Sequence, residues 1–302
     1  MVFAMGLAAI SVSCSHTELQ KVSRLGLSNL PQPIPTHYSL GARTRAEWLQ
    51  TDLRQMNAFF QEHLGVQTDV ALAVLNPADW KKTYNAPYGL PGILGKPRVI
   101  FMPAHSGGAA FRQMMARRDA IPAQELQSYL EDKHQAFEAT ADDFVDIIAF
   151  HELGHALSYA YGIRPRCHWL SEFAASYFAY AFLSERKPEL IRVFDLLGRP
   201  SGMRPPNATL AHFERVHDKT VDTGWYQGMF ERHIRELYPR LGLEFLRELK
   251  RHFPAGPDAK IGASASASVQ KKAKKRSIPP EQALEKLEVI APGFQSWGGA
   301  FH

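Results

Sequence analysis

His151, Glu152 and His155 stand in the run His151-Glu152-Leu153-Gly154-His155, inside text with helical character. Residues four apart share one face of a helix, so the two imidazoles project side by side. That spacing can hold one zinc ion. Glu152 leaves the helix on the adjacent flank, where a carboxylate can take a proton from water at the metal. Two histidines alone on an inward face are ordinary hydrogen-bonded core residues. A glutamate between them at this spacing makes a hydrolytic zinc site the better reading.

Zinc in a hydrolase needs a third protein ligand and one open position. A third histidine six residues after the second would require His at position 161 and Gly at 158. Tyr161 and Ser158 stand there and exclude it. The next candidate is Glu172, in Trp169-Leu170-Ser171-Glu172-Phe173-Ala174-Ala175-Ser176-Tyr177. This stretch opens a second helix that can pack on the first and turn its carboxylate toward the metal.

Here the sequence resembles the gluzincin metallopeptidases, in particular the aminopeptidase N family, which carries Trp-Leu-Asn-Glu-Gly-Phe-Ala-Ser-Tyr at its glutamate ligand. Six of the nine residues agree: Trp169, Leu170, Glu172, Ala175, Ser176 and Tyr177. The resemblance implies His151, His155 and Glu172 as zinc ligands and Glu152 as general base. Sixteen residues separate His155 from Glu172, against eighteen in the family. Farther on, the family has a Tyr-x-Lys-Gly segment whose tyrosine stabilises the oxyanion formed at the scissile carbonyl. Aligning its glycine on Gly228 puts Trp225 at the tyrosine and Gln227 at the lysine. Tyr226, one residue along, is the candidate oxyanion donor, with His217 and His233 as rivals. The family's Gly-x-Met-x-Asn strand is missing before His151, since Gly107-Gly108-Ala109-Ala110 lacks both the methionine and the asparagine. A terminal ammonium would then lack a group to offset its desolvation, so an endopeptidase fits better than an aminopeptidase.

The elements that must position these residues can be read from periodicity and punctuation. Thr140 suits the N-cap of the zinc helix, Asp142 and Asp143 its first turn, and Gly162 its end. Phe144, Ile148, His151 and His155 then form one inward stripe. Upstream, Thr44 to Leu64 has helical spacing and Val70 to Leu75 reads as a buried strand. Residues 79–97, rich in proline and glycine, read as loop. Arg98 to Pro103 is a strand that either lies at a sheet edge, where it could align an extended peptide, or sits inside a small mixed sheet. Residues 111–139 read as one or two helices broken near Pro122. Downstream, helices are expected from Thr223, over 241–253 and over 281–289. Trp297 and Phe301 follow as packing or closing aromatics. Together with the resemblance, this gives an α+β fold, a helix-rich zincin-like (gluzincin) metallopeptidase domain with a small mixed sheet.

The chain of 302 residues is 45% hydrophobic, enough for a sizeable core. Its net charge of +5 is matched by Lys271, Lys272, Lys274, Lys275 and Arg276 alone, a run that reads as a solvated loop rather than a nucleic-acid surface. Residues 2–13 form a short apolar segment before Cys14, with the look of a bacterial lipoprotein signal. Lipid on Cys14 would tie the protein to a membrane in the bacterial cell envelope. The expected organisation is an anchor over 1–14, a tether over 15–42 and a catalytic domain over 43–253. A flexible basic linker over 254–280 and a C-terminal helix and tail over 281–302 complete it. Cys167 then has no partner and reads as a structural thiol. The expected activity is zinc-dependent cleavage of a peptide or protein substrate. The alternative is a non-catalytic envelope lipoprotein whose zinc site is structural, which a closed four-ligand site would favour.

Overall fold

The computed structural model describes residues 17–31, 33–121, 123–133, 136–197, 204–216, 223–255 and 278–301. The apolar segment over 2–13, Cys14, His217 and the lysine run over 271–276 lie outside the described residues. The architecture is helix-rich with one small mixed sheet, which bears out the coarse expectation of an α+β fold.

Five strands make the sheet: β1 (Ser28–Leu30), β2 (Thr36–Tyr38), β3 (Val70–Leu75), β4 (Gly92–Leu94) and β5 (Arg98–Pro103), in the order β1-β2-β3-β5-β4. The three central strands are parallel, and antiparallel β1 and β4 close the two edges. Alternation divides the side chains between two faces. Val70, Leu72, Val74, Ile100 and Met102 face the main helical core, whereas Ala71, Ala73, Leu75, Val99 and Phe101 cover a small second core with Val22 and Trp80. Arg98 shares the parity of Ile100, so it projects on the helical side.

The alternative left open for Arg98–Pro103 is decided here, and one expectation changes. Arg98–Pro103 is an internal strand, paired on both sides, and the edge belongs to Gly92–Leu94. A three-residue strand between turns carries too little periodicity to be seen in proline- and glycine-rich text. Residues 15–42 are no tether where they are described. They supply α1 (Glu18–Ser23), β1 and β2, and they bury Val22, Ile34 and Tyr38. Pro31, Pro33 and Pro35 punctuate the connection between short strands instead of stiffening an extended spacer.

On the helical side, α2 (Arg43–Leu64) packs beneath the sheet and is joined to it by Arg45, whose Nε donates to the Pro103 carbonyl oxygen at 2.9 Å. Short helices α3 (Pro77–Thr83), α4 (Ala109–Met115) and α5 (Ala123–Lys133) precede the long α6 (Phe137–Tyr161). Helix α6 begins three residues before the expected cap. Thr140 lies inside it and is fully buried, because Phe137 and Ala141 extend the apolar surface back by a turn. Its end is as expected, with Gly162 at φ 93°, a left-handed conformation that other residues rarely adopt. Helix α6 is apolar on nearly every face, as a helix in the middle of a layer must be.

Against it lie α7 (His168–Arg186) and α8 (Pro188–Leu197), followed by α9 (Leu210–Val216), α10 (Thr223–Leu241) and α11 (Glu244–His252). Helices α12 (Pro280–Ile290) and α13 (Phe294–Gly299) return to the same core, where Trp297 packs at tilted and edge-on angles against Trp169, Phe173 and Phe230. The late aromatics therefore pack. Among the described residues, no helix is long and apolar enough to cross a membrane.

Candidate metal centre

Two helices build the site. On α6, His151 and His155 sit one turn apart with ring centroids 4.7 Å from each other. On α7, Trp169, Phe173 and Tyr177 form a stripe that enters the aromatic core, and this leaves Glu172 and Ser176 on the flank that meets α6. The closeness of that meeting depends on Gly154. A Cβ there would lie 2.4 Å from the carbonyl oxygen of Ala175, so any larger residue would push α7 away. The glycine inside the motif is thus the contact point that brings the third donor within reach of the first two. The N-terminus of α7 is fixed as well. Cys167 makes no side-chain cap, and Glu214 of α9 accepts from the Trp169 backbone N–H at 2.8 Å in its place.

The structure brings His151, His155 and Glu172 together. Glu172 Oε2 is 3.2 Å from His151 Nε2, and Oε1 is 3.4 Å from His155 Nε2. Two ligand atoms bound to one tetrahedral zinc ion lie about 3.4 Å apart, given ligand bonds of about 2.0–2.1 Å. The donor set therefore fits a divalent ion in both chemistry and spacing. The three ligand atoms lie within 4.8 Å of one another, and among the described residues this group has no fourth member. Side-chain exposures of 17%, 18% and 20% leave the group reachable from solvent. That is the pattern of an open site rather than a closed four-ligand one.

Supporting contacts orient the donors. The Oγ of Ser176 lies 3.0 Å from His151 Nδ1. When Nδ1–H donates to it, the lone pair of Nε2 faces the carboxylate and the metal position. Gln227 of α10 donates through Nε2 to Glu172 Oε2 at 2.8 Å, and its own Oε1 is buried without a partner. Neither role follows from residue type. Ser176 is one turn from Glu172 on the same face, which is the signal that could have found it. Gln227 offered none beyond its place in the family alignment.

Tyr226 is corrected. Its hydroxyl donates to the Asn207 carbonyl oxygen at 2.8 Å, with the Thr209 carbonyl at 3.1 Å, and the ring is buried against Phe213 and Phe301. One position along α10 turns the side chain by about 100°, so Gln227 meets Glu172 while its neighbour enters the core. The phenolic proton expected for an oxyanion is committed to the backbone. His233 is buried too, stacked on Trp297 at 4.7 Å and set edge-on to Phe294. Cys167 is a buried free thiol whose pKa burial pushes up, as a structural residue requires.

Two carboxylates of the site behave oppositely. Burial raises Glu172, but the charges and hydrogen bonds of His155 and His151 outweigh it and hold the group well below the usual carboxylate range. Burial also dominates at Glu152, opposed by His151 and Arg98 and reinforced by Glu172, and pushes it up to about 7. The same site thus pushes its two carboxylates in opposite directions. Comparison of the chain with family models, curated proteins and solved structures finds no match in any of the three.

Proposed function

We propose that this protein is a zinc-dependent peptidase of gluzincin type, with a zincin-like fold and an endopeptidase's preference for internal bonds. The observation that carries the reading is the convergence of His151, His155 and Glu172 on one solvent-accessible point, with Glu152 beside it. Two imidazoles and a carboxylate also suit non-haem iron. The extra glutamate, raised toward neutrality, favours hydrolysis.

When bound, zinc lowers the pKa of water and polarises a carbonyl oxygen. Glu152 removes one proton from the attacking water as its oxygen bonds to the carbonyl carbon. It then delivers that proton to the amine nitrogen as the C–N bond breaks, leaving a carboxylic acid and an amine. Ser176 and Gln227 hold His151 and Glu172 in place. Strand β4 supports a peptide substrate, because it is an edge strand lying against α6 and its outer backbone groups can pair with an extended chain.

The test is a peptide-library cleavage assay, with and without chelator, on protein of measured metal content. Glu152→Gln should retain zinc and lose at least about 100-fold in turnover, the scale of general-base catalysis. Undiminished cleavage by that variant, at equal metal content, would refute the mechanism.

A further inference from the structure

One turn beyond His155 on α6 is Tyr159, and three cations gather on its ring. The Arg164 guanidinium carbon lies 3.1 Å from the ring centroid, that of Arg98 4.8 Å, and the Lys96 ammonium 5.9 Å. They come from three places: Arg98 from the helical face of β5, Lys96 from the β4–β5 turn, and Arg164 from the connection after α6. Arg164 is anchored by donating to the carbonyl oxygens of Tyr159 at 2.6 Å and Ile163 at 2.9 Å. Among the described residues, none of the three has a carboxylate within ion-pair distance. Burial lowers the pKa of half-buried Arg98, against the charges of Tyr159 and, after it, Glu152.

Desolvating a guanidinium without a partner anion is costly, and an anionic ligand would relieve that cost. Arginine also presents a planar fork that matches a carboxylate. The position is informative too. Four residues of α6 span about 6 Å, which is about two residues of extended chain. Lys96 of the β4–β5 turn lies over the Tyr159 ring, so a peptide paired along β4 and continuing past Leu94 would run toward these cations.

We propose that Lys96, Arg98 and Arg164, assembled on Tyr159, form a subsite for a substrate carboxylate lying about two residues from the bond that is cut. This rests on the peptidase reading and adds a substrate class to it: acidic peptides, the carboxylate being either an Asp or Glu side chain or the peptide's own C-terminus.

The experiment measures binding apart from turnover. Full-length Glu152→Gln protein, supplied with zinc, is titrated with three fluorescent decapeptides and read by anisotropy. One carries Asp and Glu and is C-terminally amidated, the second is its amidated Asn and Gln counterpart, and the third is that counterpart with a free C-terminus. At least one carboxylate-bearing peptide should bind about tenfold tighter than the neutral one, the range of a charge-assisted hydrogen bond. Arg98→Gln should reduce that ratio to within about twofold, and high salt should shrink it. Preference for the first peptide identifies a side-chain carboxylate, and preference confined to the third identifies the C-terminus. Should Arg98→Gln fail to fold, Lys96→Glu at an exposed position should lower the ratio instead. Equal affinities for all three peptides, or a preference unmoved by these substitutions, would overturn the subsite. Hydrolysis of the neutral peptide by the unsubstituted chain is followed in parallel. Cleavage without a binding preference keeps the peptidase and removes the subsite. A preference without cleavage does the reverse.

Discussion

Ser176 and Gln227 lie outside the group of His151, His155 and Glu172 that could hold a metal ion, yet both bear on it. Each touches one donor, the serine at His151 Nδ1 and the glutamine at Glu172 Oε2. Partners of this kind fix the direction of a ligand's lone pair and typically contribute 10–100-fold in metal affinity. We expect Ser176→Ala and Gln227→Ala each to weaken zinc binding by about that factor with little loss of thermal stability in the metal-free protein. Competition titration with a chelating dye measures it, and unchanged affinity would make both contacts incidental. At this scale the sequence was most legible for residues whose types carry the chemistry, His151, Glu152, His155 and Glu172. It failed at Tyr226. A helical stripe does not say which of two neighbouring residues turns inward, and the phenol here bonds to the backbone carbonyls of Asn207 and Thr209.

Between elements, the decisive contact is the crossing of α6 and α7 at Gly154. A methyl group added there would meet a backbone carbonyl, which cannot swing aside as a flexible side chain could. Gly154→Ala should therefore destabilise the fold by about 1–3 kcal/mol, the usual cost of overpacking. It should also loosen zinc binding, because α7 carries Glu172. Thermal melts with and without metal separate the two effects, and a variant melting like the parent would contradict this account of the crossing. Legibility at this scale followed periodicity. Long helices and the strands Val70–Leu75 and Arg98–Pro103 fell where the apolar pattern put them, whereas Gly92–Leu94 and the strands before Tyr38 were too short to leave a pattern. The start of α6 was misjudged because Thr140 looks like a cap, yet the buried Phe137 carries the helix back past it.

Across the whole molecule, the C-terminal helices close the core around His233. Both ring nitrogens are buried without a hydrogen-bond partner, Glu236 Oε2 being 3.5 Å away, and burial pushes the pKa down to about 4. The folded chain thus favours the neutral ring. Between pH 6.5 and about 4 the unfolded chain takes up a proton that the folded one does not, so stability falls as pH falls through that window. We expect His233→Phe to remove this loss, worth of order 1–3 kcal/mol at the acid end. Denaturant unfolding of metal-free protein at pH 7 and pH 4.5 tests it, and an unaltered pH dependence would locate the acid sensitivity elsewhere. The joining of these last helices to the site's own core could not be read from the sequence. Aromatics such as Trp297 and Phe301 announce burial but not against what.

The central claim is that side chains from two packed helices jointly hold a divalent ion. Its most direct test is zinc titration of metal-stripped protein beside Glu172→Ala. One ion per chain is expected, bound tightly by the parent and at least about 100-fold more weakly by the variant, the loss of a whole ligand exceeding that of a supporting contact. An unaffected affinity in Glu172→Ala, or a parent chain that takes up no zinc, would contradict the account.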